Sequence, residues 1–204
     1  MKIRVVMIVP LVLQHLTKGI KMKCLMISLL FLFETAAFAN DFVSVGGDVK
    51  FTAVGKPGFL KIRGESKGEF PKGKLNFKEN TMTGEFSFDL AKLDTGIDLR
   101  NEHMKDKYLE VKKFPQAKLT LKGTPIKESE LKGNIDTSFK GVLSLHGEAK
   151  DVEGKFKYTA AEKKSVANFT IQVSDFKIDV PKYMGITVSE TVDVEVVILI
   201  KEEK

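Results

Sequence analysis

Arg100, Glu102 and His103 lie close enough in sequence to form one polar cluster. An imidazole beside a guanidinium suits proton abstraction, with His103 as the base and Arg100 as an anion clamp. Two other readings use the same residues. In one, Arg100 and His103 tie a short helix to strand ends through backbone carbonyls. In the other they form a polar rim against a ligand head group. No serine, cysteine or paired carboxylate is aligned as a nucleophile, which counts against the enzymatic reading. His146 stands apart from the cluster beside Gly147. It is expected near a strand end, facing outward as a hydrogen-bonded turn residue. Nucleophile-elbow, zinc-protease, P-loop and dinucleotide fingerprints are missing.

The segment carrying the cluster, Asp98 to Tyr108, has no strand period. Arg100, Met104 and Tyr108 recur every four residues and share a helical face. Asp98 suits a helix start, where its carboxylate can accept backbone N–H bonds. Lys105 and Lys107 suit the carboxyl end of the dipole. The spacing predicts a short helix over 99–107 at one end of a β structure. Phe114-Pro115 then opens the next strand region.

The rest of the chain alternates with period two. Apolar stripes run through Phe86, Phe88 and Leu90, through Leu119 and Leu121, and through Ile135, Phe139, Leu143 and Leu145. Two more run through Ala167, Phe169, Ile171 and Val173, and through Val192, Val194, Val196, Ile198 and Ile200. The last stripe has Val197 and Leu199 on its other face, so its end is expected to be covered on both sides. Gly46-Gly47, Lys56-Pro57-Gly58, Pro71-Lys72-Gly73, Lys122 to Pro125 and Lys132-Gly133 are turn or bulge signals. Eight or so strands, apolar on one face, predict an all-β antiparallel sandwich or barrel.

Fifteen phenylalanines stand against three tyrosines and no tryptophan. A phenyl ring needs no hydrogen-bond partner, so it can pack a core or line an apolar cavity equally well. The stripes alone do not separate a filled interior from a hollow one.

Lys21 and Lys23, the apolar run Cys24 to Phe33, and Ala37-Phe38-Ala39 read as an export signal cleaved before Asn40. The expected organisation is a signal peptide over 1–39, with Met22 as an alternative start, and one domain over 40–204. The expected location is periplasmic or secreted. Residues 1–39 hold five basic and one acidic side chain, so their removal lowers the net charge from +6 to +2. Nucleic-acid binding then loses its compositional support. Cys24 leaves with the leader, which excludes thiol catalysis and cysteine metal sites from the remainder. The two histidines left, His103 and His146, do not make a zinc site.

Two stretches carry a family likeness. Leu93-Asp-Thr-Gly-Ile-Asp-Leu-Arg-Asn-Glu-His-Met104, continuing to Phe114-Pro115, resembles the Thr-Gly, Arg-x-x-His hallmark of the YceI-like polyisoprenoid-binding family. Phe139-Lys-Gly-Val-Leu-Ser-Leu-His-Gly-Glu-Ala-Lys150 resembles that family's second motif. The likeness spans about residues 45 to 201. It implies an extended antiparallel, lipocalin-like β-barrel of about eight strands with the short helix near residues 99–107. It also implies a polyisoprenoid, quinone or fatty acyl compound in the lumen, with no other cofactor and no metal. Phe86, Phe88, Leu119, Leu121, Phe139, Leu143, Phe169, Ile171 and Val173 are then expected to include the cavity wall. Arg100 and His103 match the Arg-x-x-His positions. An exported carrier, homodimer formation and transient membrane contact are compatible with the resemblance. An enzyme using His103, and a structural or stress-response barrel with a solid core, are the rival expectations.

Overall fold

The computed structural model describes residues 40–56, 60–183 and 186–203. The leader over 1–39 and Pro57-Gly58 lie outside the described residues. The five alternating stripes fall on the fourth, sixth, seventh, ninth and last of eleven strands; the first five strands are β1 (Asn40–Lys56), β2 (Lys61–Ser66), β3 (Lys72–Lys78), β4 (Thr81–Asp89) and β5 (Leu93–Asp94). They continue as β6 (Gln116–Pro125), β7 (Asn134–Leu145), β8 (Glu148–Thr159), β9 (Lys164–Gln172), β10 (Lys182–Tyr183) and β11 (Ile186–Glu202).

Eight of these close a barrel in the order β1-β3-β4-β6-β7-β8-β9-β11, and β11 returns to β1. All the pairings are antiparallel. The long strands β1 and β11 form the seam, running from Phe42 opposite Glu202 to Lys56 opposite Thr187. Beyond β3, the far half of β1 pairs with β2 instead, and β2 pairs with β5. The break between β2 and β3 frees backbone donors, and hydroxyls take them up. Ser66 Oγ accepts from Val49 N at 3.1 Å, and Ser44 Oγ accepts from Gly73 N at 2.9 Å. Buried donors must find such partners or cost free energy.

The turn signals resolve in different ways. Gly46-Gly47 follows a bulge at Val45, where β1 shifts register against β11. Gly47 has φ of 134°, and a Cβ there would run into the Val197 carbonyl. Lys122 to Pro125 is no turn. It lies within β6, where a register shift opposite Met82 and Gly84 absorbs the extra residue. Gly73 likewise lies inside β3. A glycine inside a strand marks a bulge or a close approach as often as a turn.

The helix starts one residue earlier than the spacing predicts. It is an α-turn over Asp98–Glu102 (α1), continued as a π-helical turn over His103–Tyr108. Leu109 N donates to Met104 O at 2.8 Å, the wide spacing of that turn. Asp98 lies inside the first turn and does not cap it; the cap position is Ile97, with no side-chain bond.

Candidate functional site

The interior divides into two levels. At the end away from α1, Phe77, Met82, Ile126, Ile135, Tyr158 and Ile200 are buried, with Phe42 packed against them. Phe42 and Phe77 meet edge to face, their centroids 5.5 Å apart. None of these side chains borders the cavity. One step nearer α1 the lining begins, with Val49, Leu75, Leu121, Phe139, Phe156, Ser165 and Ile198. From there a cavity of about 570 Å³ reaches up to the helix. That size suits a ligand site. An eight-stranded barrel is just wide enough to be filled by side chains or to hold one small ligand. Small inward residues tip the balance: Ala53, Ala117 and Ala167 line this half, along with Val49, Val192 and Val194.

The eleven residues expected at the site converge on this cavity. Phe86 and Phe88 project from β4, Leu119 and Leu121 from β6, Phe139 and Leu143 from β7. Phe169 and Ile171 project from β9, and Val173 begins the 3-10 turn that follows it. Phe139 and Phe169 meet edge to face at 6.0 Å across β8. The residue between them is Gly154, where a Cβ would strike the Asn168 carbonyl, Phe169 and the Phe139 ring. Period two was enough to find these wall positions. The expected wall left out the residues supplied by β1 and by β11, Val49, Phe51 and Val196 among them, although the stripe through Val196 is legible.

Arg100 and His103 line the mouth, with Leu99, Met104, Lys107 and Tyr108 from the same helical stretch. Asp98, Glu102 and Asp106 recur every four residues and do not line it. Glu102 therefore does not join Arg100 and His103 in one site. Arg100 Nη2 reaches the Thr95 carbonyl only at 3.5 Å, and its Nε is buried without a partner. Among the described residues Arg100 forms no ion pair. The His103 ring shows no hydrogen bond among them, so no neighbouring carboxylate orients it as a base.

The residue that ties the helix down is Asn101, which sequence reasoning passed over. Its Oδ1 accepts from Thr95 N at 2.8 Å and from Thr95 Oγ1 at 2.7 Å. Its Nδ2 donates to Asp94 Oδ1 at 2.8 Å, which also accepts from Gly96 N at 2.7 Å. The Gly96 amide, the Asn101 amide and the Lys67 ammonium hold the Asp94 carboxyl well below the usual carboxylate range. Asp-Thr-Gly was the available signal, since Asp before Gly favours a side-chain-bonded turn.

His146 does not face outward. It occupies the β7–β8 turn with φ of 52° and packs against Phe114, the ring planes tilted by 59° and the centroids 4.6 Å apart. Its Nδ1 lies 3.0 Å from the Phe176 carbonyl, and its Nε2 lies 2.8 Å from Glu110 Oε2. It is a turn residue held by hydrogen bonds, tucked under the chain that leaves the helix. The end of β11 is not covered on both faces either. Leu199 is 40% exposed on the outer side, and Val45 is exposed as well. No group of residues that could hold a metal occurs among the described residues. No helix among them is long and apolar enough to cross a membrane.

No curated protein matches the chain. Solved structures share its fold at low identity. A polyisoprenoid binding domain from Saccharophagus degradans, implicated in plant cell wall breakdown, aligns with a TM-score of 0.59 at 16% identity. That alignment covers 80% of this chain and 98% of the other. Burkholderia cenocepacia BcnA gives 0.56 at 19% identity, covering 75% and 96%. A mutant Campylobacter jejuni YceI protein gives 0.53 at 18% identity, covering 72% and 87%. The model of the YceI-like domain matches residues 41–199, and the chain belongs to that family.

Proposed function

We propose that this protein is an exported carrier that holds one long-chain apolar lipid in the barrel. The observation that carries the reading is the cavity of about 570 Å³, walled by phenyl and aliphatic side chains and opening beside α1. The polyisoprenoid-binding domain of the same fold supports that ligand class. Burying apolar surface yields roughly 25 cal/mol per Å², so about 400 Å² of chain gains on the order of 10 kcal/mol on leaving water. A bilayer offers a similar gain. Exchange between membrane and barrel is then nearly balanced, and the mouth decides direction and selectivity.

The mouth suits that exchange. Ile97 and Leu99 line it and are each 53% exposed. Exposed apolar groups at a cavity entrance give a bilayer something to hold during transfer. Val45 and Leu199 on the outer wall offer apolar surface to a second copy. His103, with no orienting partner among the described residues, acts in binding and not as a base. The signal over 1–39 would place the carrier in the periplasm or outside the cell.

The test is titration with cis-parinaric acid, followed by displacement with farnesol. One site per chain, with displacement by farnesol, is expected. Absence of saturable binding by the folded protein would end the carrier reading.

A further inference from the structure

Two buried polar groups that line the cavity lack hydrogen-bond partners among the described residues, and they sit at its opposite ends. Arg100 Nε is at the mouth. Ser165 Oγ is at the innermost level, on a residue only 2% exposed. An unpaired buried hydroxyl or guanidinium costs free energy unless a ligand atom pairs with it. The charged residues lining the cavity are Arg100, Lys107 and Lys182, with His103 beside them and no carboxylate. The mouth therefore favours an anion.

We propose that the cavity reads its ligand at both ends, with Arg100 holding an anionic head and Ser165 hydrogen-bonding a polar atom at the far end of the chain. This rests on the carrier reading and adds a chemical class to it: a long-chain anion whose distal end carries a hydroxyl or carbonyl. From Gln172, the last residue of β9, to Ser165 the strand advances seven residues. At roughly 3.3 Å per residue that is about 23 Å along the strand, or about 18 Å along a barrel axis with ordinary strand tilt. An extended chain can span the two groups. Ser165 faces inward between Tyr158 on β8 and Ile198 on β11. Only a group reaching the floor of the cavity meets it.

Thr124 supplies an internal control. Its hydroxyl is also buried and unpaired, but it does not border the cavity. The experiment compares hexadecanoic acid with 16-hydroxyhexadecanoic acid, and the matching pairs of twelve to eighteen carbons. Each pair is titrated against wild type, Ser165→Ala and Thr124→Val, with thermal melts confirming the fold. In a purely apolar pocket the added hydroxyl weakens binding by about tenfold or more. Wild type is expected to bind the best-fitting hydroxy acid at least as tightly as its plain partner. Ser165→Ala should lose that tolerance by about tenfold, and Thr124→Val should keep it. Arg100→Gln should weaken both acids about tenfold, with little change for hexadecanol. Tight binding of the plain acids with the same hydroxyl penalty in wild type and Ser165→Ala would overturn end-reading and leave the carrier standing. Failure of every acid and of hexadecanol to bind would overturn both.

Discussion

The two ends of the barrel are built from the same kind of strand and behave differently. At the packed end, Phe42, Phe77, Met82, Ile135, Tyr158 and Ile200 fill the space between strands. In the half beneath α1, alanines and valines on β1, β6, β9 and β11 share the lining with Phe86 and Phe88, and the space stays open. The same strands β1, β4, β6, β7, β8, β9 and β11 run through both, although β1 exchanges β3 for β2 between them. Hollowness here is a property of side-chain volume at inward positions, with the packed end supplying much of the stability.

That contrast makes its largest prediction about truncation. Met82→Ala removes a fully buried side chain from the packed end and should cost about 2–5 kcal/mol in urea unfolding. Leu143→Ala removes a side chain that already borders open space and has fewer contacts to lose, so about 1–2 kcal/mol is expected. Equal costs would mean that the two halves are packed alike.

A smaller effect is expected at the mouth. Asn101→Ala removes the bonds to Thr95 and Asp94, and leaving one such partner unsatisfied typically costs about 1–2 kcal/mol. Amide exchange should quicken over residues 98 to 108 and stay unchanged in the packed end. Uniform quickening would assign Asn101 to the whole barrel instead.

The smallest effect is pH dependence. The Asp94 carboxyl is held below the usual range in the fold, whereas an unfolded Asp titrates near about 3.9. A depressed folded pKa gives stabilisation that is complete above the unfolded value. It begins to fall as the unfolded chain takes up its proton, and is gone once pH passes below the folded value. Acid melts should therefore show Asp94→Asn losing less stability than wild type below about pH 4. Parallel curves would remove Asp94 from the account.

Period-two stripes made β4, β6, β7, β9, β11 and nine wall residues legible, because side-chain direction in a strand follows sequence position alone. The cavity itself was not legible. Whether Ala53, Ala117 and Ala167 leave room depends on what stands across the barrel from them, and no local pattern records that. The helix was found by its four-residue spacing, but its start was misplaced, since Asp98 falls in the first turn and leaves the cap position to Ile97. His146 was misplaced for a related reason. Parity puts it on the outer face, but its turn has left the strand, and Glu110 and Phe176 arrive from distant sequence to cover it. Asn101 is not legible because its partners, Asp94 and Thr95, lie before the helical segment, and no spacing within that segment points to them.

Native mass spectrometry of the freshly purified protein tests the hollow half most directly, comparing wild type with Ala167→Phe. A filled lumen and an open one differ in whether a chain-sized molecule fits inside. One lipid-sized adduct per chain in wild type, absent from a folded Ala167→Phe, is the predicted result. Bare protein mass in wild type after gentle extraction, or an adduct that persists unchanged in Ala167→Phe, would contradict it.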